Sequence, residues 1–159
     1  MTQTTTSSGT TIVIERTFDA SPAFIYNAFT DPAILDQWWG PHGYHARHWT
    51  IDLRVGGAYR YEMFELATGI GHWCSGMYQV IEPNARLTFT ASIDWDPKSG
   101  LPEIEEMVTD IRFFAEDGKT RVVATQSNLP DAGWGDSASA GWNQQMERLE
   151  AMVTAQSAR

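Results

Sequence analysis

At 159 residues the chain is long enough to bury a core as one domain without disulfide staples. Eleven basic against twenty acidic residues give a formal net charge of −9, which repels the phosphates of nucleic acids and of anionic membranes. The single cysteine, Cys74, excludes an internal disulfide and fits a reducing compartment.

Residues 1–10 are rich in Thr and Ser, with no basic start and no apolar stretch, so a loose tail is expected there rather than a secretory signal. No apolar run approaches the roughly 20 residues needed to cross a bilayer. The expectation is a cytoplasmic protein whose single domain runs over residues 11–157.

Ile12 to Phe18 reads as a first strand. Ser21-Pro22 starts a helix, because Ser caps free backbone N–H groups and Pro suits the first helical position; Phe24, Ile25, Ala28 and Phe29 form its apolar stripe. Asp31-Pro32 repeats that chemistry and opens a second short helix to Trp38, stopped by Gly40-Pro41. Strands follow over Tyr44 to Val55, Ala58 to Leu66, Ile70 to Ile81 and Arg86 to Ile93. A loop from Asp94 to Pro102 precedes strands over Ile104 to Ala115 and Thr120 to Ser127.

Asp136 to Ala155 contains no proline and sets Ala138, Trp142, Met146, Leu149, Met152 and Val153 on one stripe, an amphipathic helix. Gln144, Glu147, Arg148 and Glu150 fall mainly on its other side. Six successive strands with short turns pair most simply as an antiparallel meander, and this helix is the long element available to cover one face. The two short helices would plug one end. The fold class expected is α+β, a curved antiparallel sheet around a long C-terminal helix.

Several segments carry a resemblance: Pro22 at the first helix, Trp38-Trp39-Gly40-Pro41, Asp52-Leu53-Arg54-Val55-Gly56-Gly57, and Gly76 within a strand. The Glu82-Pro83-Asn84-Ala85-Arg86-Leu87 turn and Gly141-Trp142 with Leu149 complete the set. In this order they resemble the START-like helix-grip superfamily, and within it the Hsp90 ATPase activator homologue family. The resemblance covers Thr11 to about Thr154. It implies the helix-grip fold and, among activities, small-molecule carriage, chaperone contact or cyclase-type catalysis; fold alone does not choose between them.

The side chains narrow that choice. Tyr59, Tyr61 and Met63, then His72, Cys74 and Tyr78, then Phe89, Ile111 and Phe113 fall on concave-face positions under Trp142 and Met146. Apolar walls carrying a few hydroxyl or imidazole tips suit a hydrophobic or aromatic ligand. The alternative is that these bulky groups fill the space themselves. Trp38 and Trp39 are read as anchors for the short helices. Asp52 and Arg54 share a strand face and are read as a tie between strands.

His42, His45 and His48 have a tempting spacing for a metal, but on a strand the latter two face opposite sides, so no metal site is expected. Cys74 is read as an inert core thiol beside His72, and the acidic Glu103, Glu105 and Glu106 as a solvated edge. No phosphate-cradling or nucleophile-elbow motif occurs, and no cofactor is expected. The leading expectation is a ligand-binding protein, monomeric or paired through a strand edge. A chaperone-contacting module ranks second, and an enzyme using His72 or a tyrosine as acid or base third.

Overall fold

The computed structural model describes residues 10–94 and 106–157. The expectations for residues 1–9, for most of the loop after Asp94, and for Ile104, Glu103 and Glu105 lie outside the described residues. The elements run β1 (Thr10–Phe18), α1 (Pro22–Ala28), α2 (Pro32–Trp38), β2 (Tyr44–Ile51), β3 (Ala58–Glu65) and β4 (Gly71–Glu82). They continue with β5 (Arg86–Asp94), β6 (Met107–Glu116), β7 (Lys119–Leu129) and α3 (Ala132–Ser157).

The seven strands form an antiparallel sheet in the order β1-β7-β6-β5-β4-β3-β2. Six are the expected meander; β1 comes back to the far edge and pairs with β7, from Ile12 opposite Gln126 to Phe18 opposite Thr120. The sheet is curved, α3 lies chiefly against β1, and α1 and α2 sit against β6 and β2, so the fold is α+β helix-grip.

Both short helices start as their caps dictate. The Ser21 hydroxyl accepts from the Phe24 N–H at 3.2 Å and the Asp31 carboxylate from the Ala33 N–H at 2.9 Å. The α1 stripe differs slightly from expectation: Ile25, Tyr26, Ala28 and Phe29 are buried while Phe24 turns outward. Longer by one turn than the apolar stripe suggests, α3 begins at Ala132, with the Asp131 carboxylate capping the Trp134 N–H at 2.9 Å.

The expected strand ending at Val55 stops at Ile51. Beyond it the backbone folds on itself, with Arg54 N–H on the Asp52 carbonyl and Gly57 N–H on the Arg54 carbonyl. Leu53 and Val55 are consequently exposed. The Asp52 and Arg54 side chains bind each other at 2.8 Å on the surface instead of tying strands together; the Asp52 N–H still donates to the Ala58 carbonyl at 3.0 Å, and the local turn takes Arg54 away from β3.

Candidate functional site

A cavity of about 340 Å³ lies between the concave face of the sheet and the first half of α3. Strand alternation builds its floor. Tyr59, Tyr61 and Met63 project inward from β3, His72 from β4, Phe89 from β5 and Met107 with Thr109 from β6. Trp142 and Gln145 close it from α3, and Trp39 and Pro41 from the turn after α2. A second, nearly filled void of about 20 Å³ sits deeper, among Phe29, Trp39, Trp49 and the rings of Tyr59, Tyr61, Tyr78 and Phe89.

The sequence-derived candidates therefore divide by depth. Tyr59, Tyr61, Met63, His72, Phe89 and Trp142 line the larger cavity, and Tyr78 lines the small void. Cys74, Ile111, Phe113 and Met146 face the same way but are packed in the core and line neither. At that end the α1 rings fill the space: Tyr26 and Phe29 each meet Phe113 edge-on with centroids 5.6 Å apart.

Aromatic contacts hold the walls in place. Trp39 meets Trp142 edge-to-face at 5.4 Å and Trp38 at 5.2 Å, and Trp49 stacks on Tyr61 at 4.2 Å. Trp38 behaves as the expected anchor, fully buried with its Nε1–H on the Ala28 carbonyl at 2.9 Å. Trp39 does more than anchor, since its ring is also cavity wall.

Several polar tips are also positioned. The Trp39 Nε1–H donates to the Tyr61 hydroxyl at 3.0 Å. The Tyr59 hydroxyl crosses under β4 to donate to the Thr90 carbonyl at 2.6 Å. The Gln126 carboxamide accepts from Trp142 Nε1–H and donates to the Thr109 hydroxyl, both at 3.3 Å, which fixes the tilt of the indole.

The turn over the cavity mouth is held by α3. Gly40 takes φ of +107°, a conformation that favours glycine, and its N–H donates to Gln145 Oε1 at 3.1 Å. The His42 N–H donates to Gln144 Oε1 at 3.0 Å. Arg148 donates Nη1–H bonds to the carbonyls of Trp39, Gly40 and Tyr44 at 3.2, 2.9 and 3.2 Å, and reaches the Gln37 carbonyl from Nη2. So Arg148 turns to the mouth rather than to the outer helix face.

The titratable groups near the cavity are tuned toward neutrality. Burial pushes the phenols of Tyr59 and Tyr61 well up, and it lowers His72 against the opposing pull of Glu62 and Glu65. Burial likewise pushes the Cys74 thiol up to about 12, with the neighbouring Tyr61 hydroxyl pulling the other way. Cys74 should accordingly resist a water-soluble disulfide reagent in the folded protein and react fully once denatured; prompt labelling of the native protein would contradict that burial.

His42, His45 and His48 each point to a different carboxylate: Glu147 at 3.6 Å, Asp36 at 3.4 Å and Glu62 at 3.9 Å. His48 occupies the β2 bulge with φ of 59°. Among the described residues no three His, Cys, Asp or Glu side chains are gathered for a metal, and no helix is long and apolar enough to cross a membrane. Chemically the site is an aromatic-walled, neutral recess that can exclude water and offer a few oriented hydrogen bonds.

The model of the family described as Activator of Hsp90 ATPase homolog 1-like protein matches residues 19–154. The chain belongs to this family. Among solved structures, a Chromobacterium violaceum protein is similar at 30% identity and a TM-score of 0.78, covering 91% of this chain and 97% of its own. A family protein from Silicibacter pomeroyi shares the fold at 23% identity and a TM-score of 0.79, over 92% and 99% of the two chains. A Rhizobium leguminosarum protein is similar at 25% identity and 0.74, over 92% and 95%. A comparison with curated proteins finds no match.

Proposed function

We propose that the protein binds a small hydrophobic or aromatic molecule between the sheet and α3, in the cytoplasm and without a cofactor. The observation that carries this reading is the cavity itself, about 340 Å³ and lined mainly by rings and apolar groups. That volume lies at the lower end of the range, about 300–1,000 Å³, typical of small-molecule pockets. Tyr59, Tyr61, Met63, His72, Phe89 and Trp142 are the contact residues, to which Trp39, Met107 and Gln145 are added.

Native mass spectrometry of freshly purified protein tests the reading. The expected result is a discrete excess mass that disappears on denaturation. Ala138 lines the cavity from α3, so Ala138→Trp should fill the recess and abolish the excess mass while the fold persists. Retention of the same ligand by that variant would contradict the assignment.

The family description supports a second reading, contact with an Hsp90-type chaperone. An ATPase measurement with the cognate chaperone decides it: stimulation by the wild type and by Ala138→Trp alike would favour a surface contact over the cavity. No stimulation at saturating protein would remove this reading.

A further inference from the structure

Gln145 is 5% exposed and stands on the cavity wall. Its orientation is determined by chemistry: the Gly40 N–H can only donate, so the atom 3.1 Å from it must be the carbonyl oxygen. That leaves the amide nitrogen, with two N–H donors, on the other side of the group. Among the described residues nothing accepts from it. The other carboxamide of the wall differs, because both ends of Gln126 are occupied by Trp142 and Thr109.

The side chain as a whole is buried, but its amide nitrogen opens on the cavity, where water or a ligand can accept from it. The same cavity is lined by the rings of Trp39, Trp142, Tyr59 and Phe89, which favour a flat aromatic body. None of the described lining residues is Asp, Glu, Lys or Arg, and burial biases His72 toward its neutral form, so no permanent charge on the described wall balances a ligand's, and the −9 surface disfavours an anion.

We propose that Gln145 Nε2–H anchors a ligand carbonyl, and that the cavity selects uncharged aromatic molecules carrying such an acceptor, aromatic ketones being the simplest class. This rests on the cavity-binding reading above and names the ligand class for it. The Gly40 bond holds the donor in place before the ligand arrives, so little ordering is required at binding.

Three naphthalenes of nearly equal shape test the proposal by saturation-transfer NMR titration of the full chain: 2-acetylnaphthalene, 2-isopropenylnaphthalene and 2-naphthoate. The ketone should bind on the order of tenfold tighter than the alkene, which has a CH₂ where the oxygen would be. It should also bind more tightly than the carboxylate. Gln145→Met should bring the ketone-to-alkene ratio close to one, with its melting curve checked alongside. Independently of any variant, the Gln145 side-chain amide resonances should shift with the ketone and far less with the alkene.

Equal affinities for ketone and alkene in the wild type would overturn the anchoring role while leaving cavity binding intact. Tighter binding of naphthoate would overturn the neutral class. No binding of any of the three would overturn both this proposal and the cavity reading on which it rests.

Discussion

Gly76→Ala is expected to destabilise the protein by about 3 kcal/mol or more. Alanine in a strand ordinarily gains about 0.5–1 kcal/mol over glycine, so the sign alone is informative. Here a β-carbon would lie 1.9 Å from the Thr90 carbonyl oxygen and 2.8 Å from the Tyr59 ring. The first of these is backbone and cannot rotate away. Gly76 lies directly opposite Tyr59 in the β3–β4 ladder, and its missing side chain is what lets the Tyr59 ring cross to Thr90. The substitution therefore forces apart β4 and β5 and displaces a cavity wall as well. Urea unfolding measures it; a loss below about 1 kcal/mol would mean that the strands accommodate the methyl group.

Arg148→Met should cost about 2–4 kcal/mol, a fall in Tm of about 4–16 °C for a chain of this size. Methionine keeps the apolar stem and removes the guanidinium, isolating its hydrogen bonds from its packing. Four backbone carbonyls lose a charged donor at once: those of Gln37, Trp39, Gly40 and Tyr44. Burial lowers the arginine's pKa, so part of what those carbonyls return is spent on desolvation. Arg148→Lys should restore less than half of the loss, because a single ammonium cannot span carbonyls on both sides of the turn as the planar fork does. A Met variant within about 0.5 kcal/mol of wild type would show that the turn is held by Gln144, Gln145 and ring packing instead.

The concave face was legible in the sequence because period-two alternation is simple to follow from Tyr59 through Met63 and from Leu87 through Phe89. Depth along the strands was not. Parity puts Ile111 and Phe113 on the same face as Met107 and Thr109, but only the placement of Tyr26 and Phe29 decides which pair meets packed rings and which meets open space. Thr109 and Gln126 share the parity of their buried neighbours Ile111 and Ala124, so a signal for them existed. Their polarity hid it.

Gln145 and Arg148 were obscured in a related way. Gln145 falls three residues after Trp142 and one before Met146, within the inner stripe, yet glutamine on an amphipathic helix reads as surface. Arg148 reads as surface for the same reason, and its four carbonyl partners belong to a segment more than one hundred residues earlier. The break after Ile51 had a clearer signal in Gly56-Gly57, a pair that reads as a hairpin turn but also closes the fold-back that ends the preceding strand.

The central claim, that a ligand occupies the space between the sheet and α3, is tested most directly by the methionine methyl groups. Met63 and Met107 line the cavity, Met146 is packed in the core, and Met77 is exposed on the outside of the sheet. In ¹³C-methyl-methionine protein titrated with 2-acetylnaphthalene, the account predicts saturable shifts at Met63 and Met107 with Met77 unmoved. Shifts centred on Met77, or none at Met63 and Met107 at saturating ligand, would contradict it.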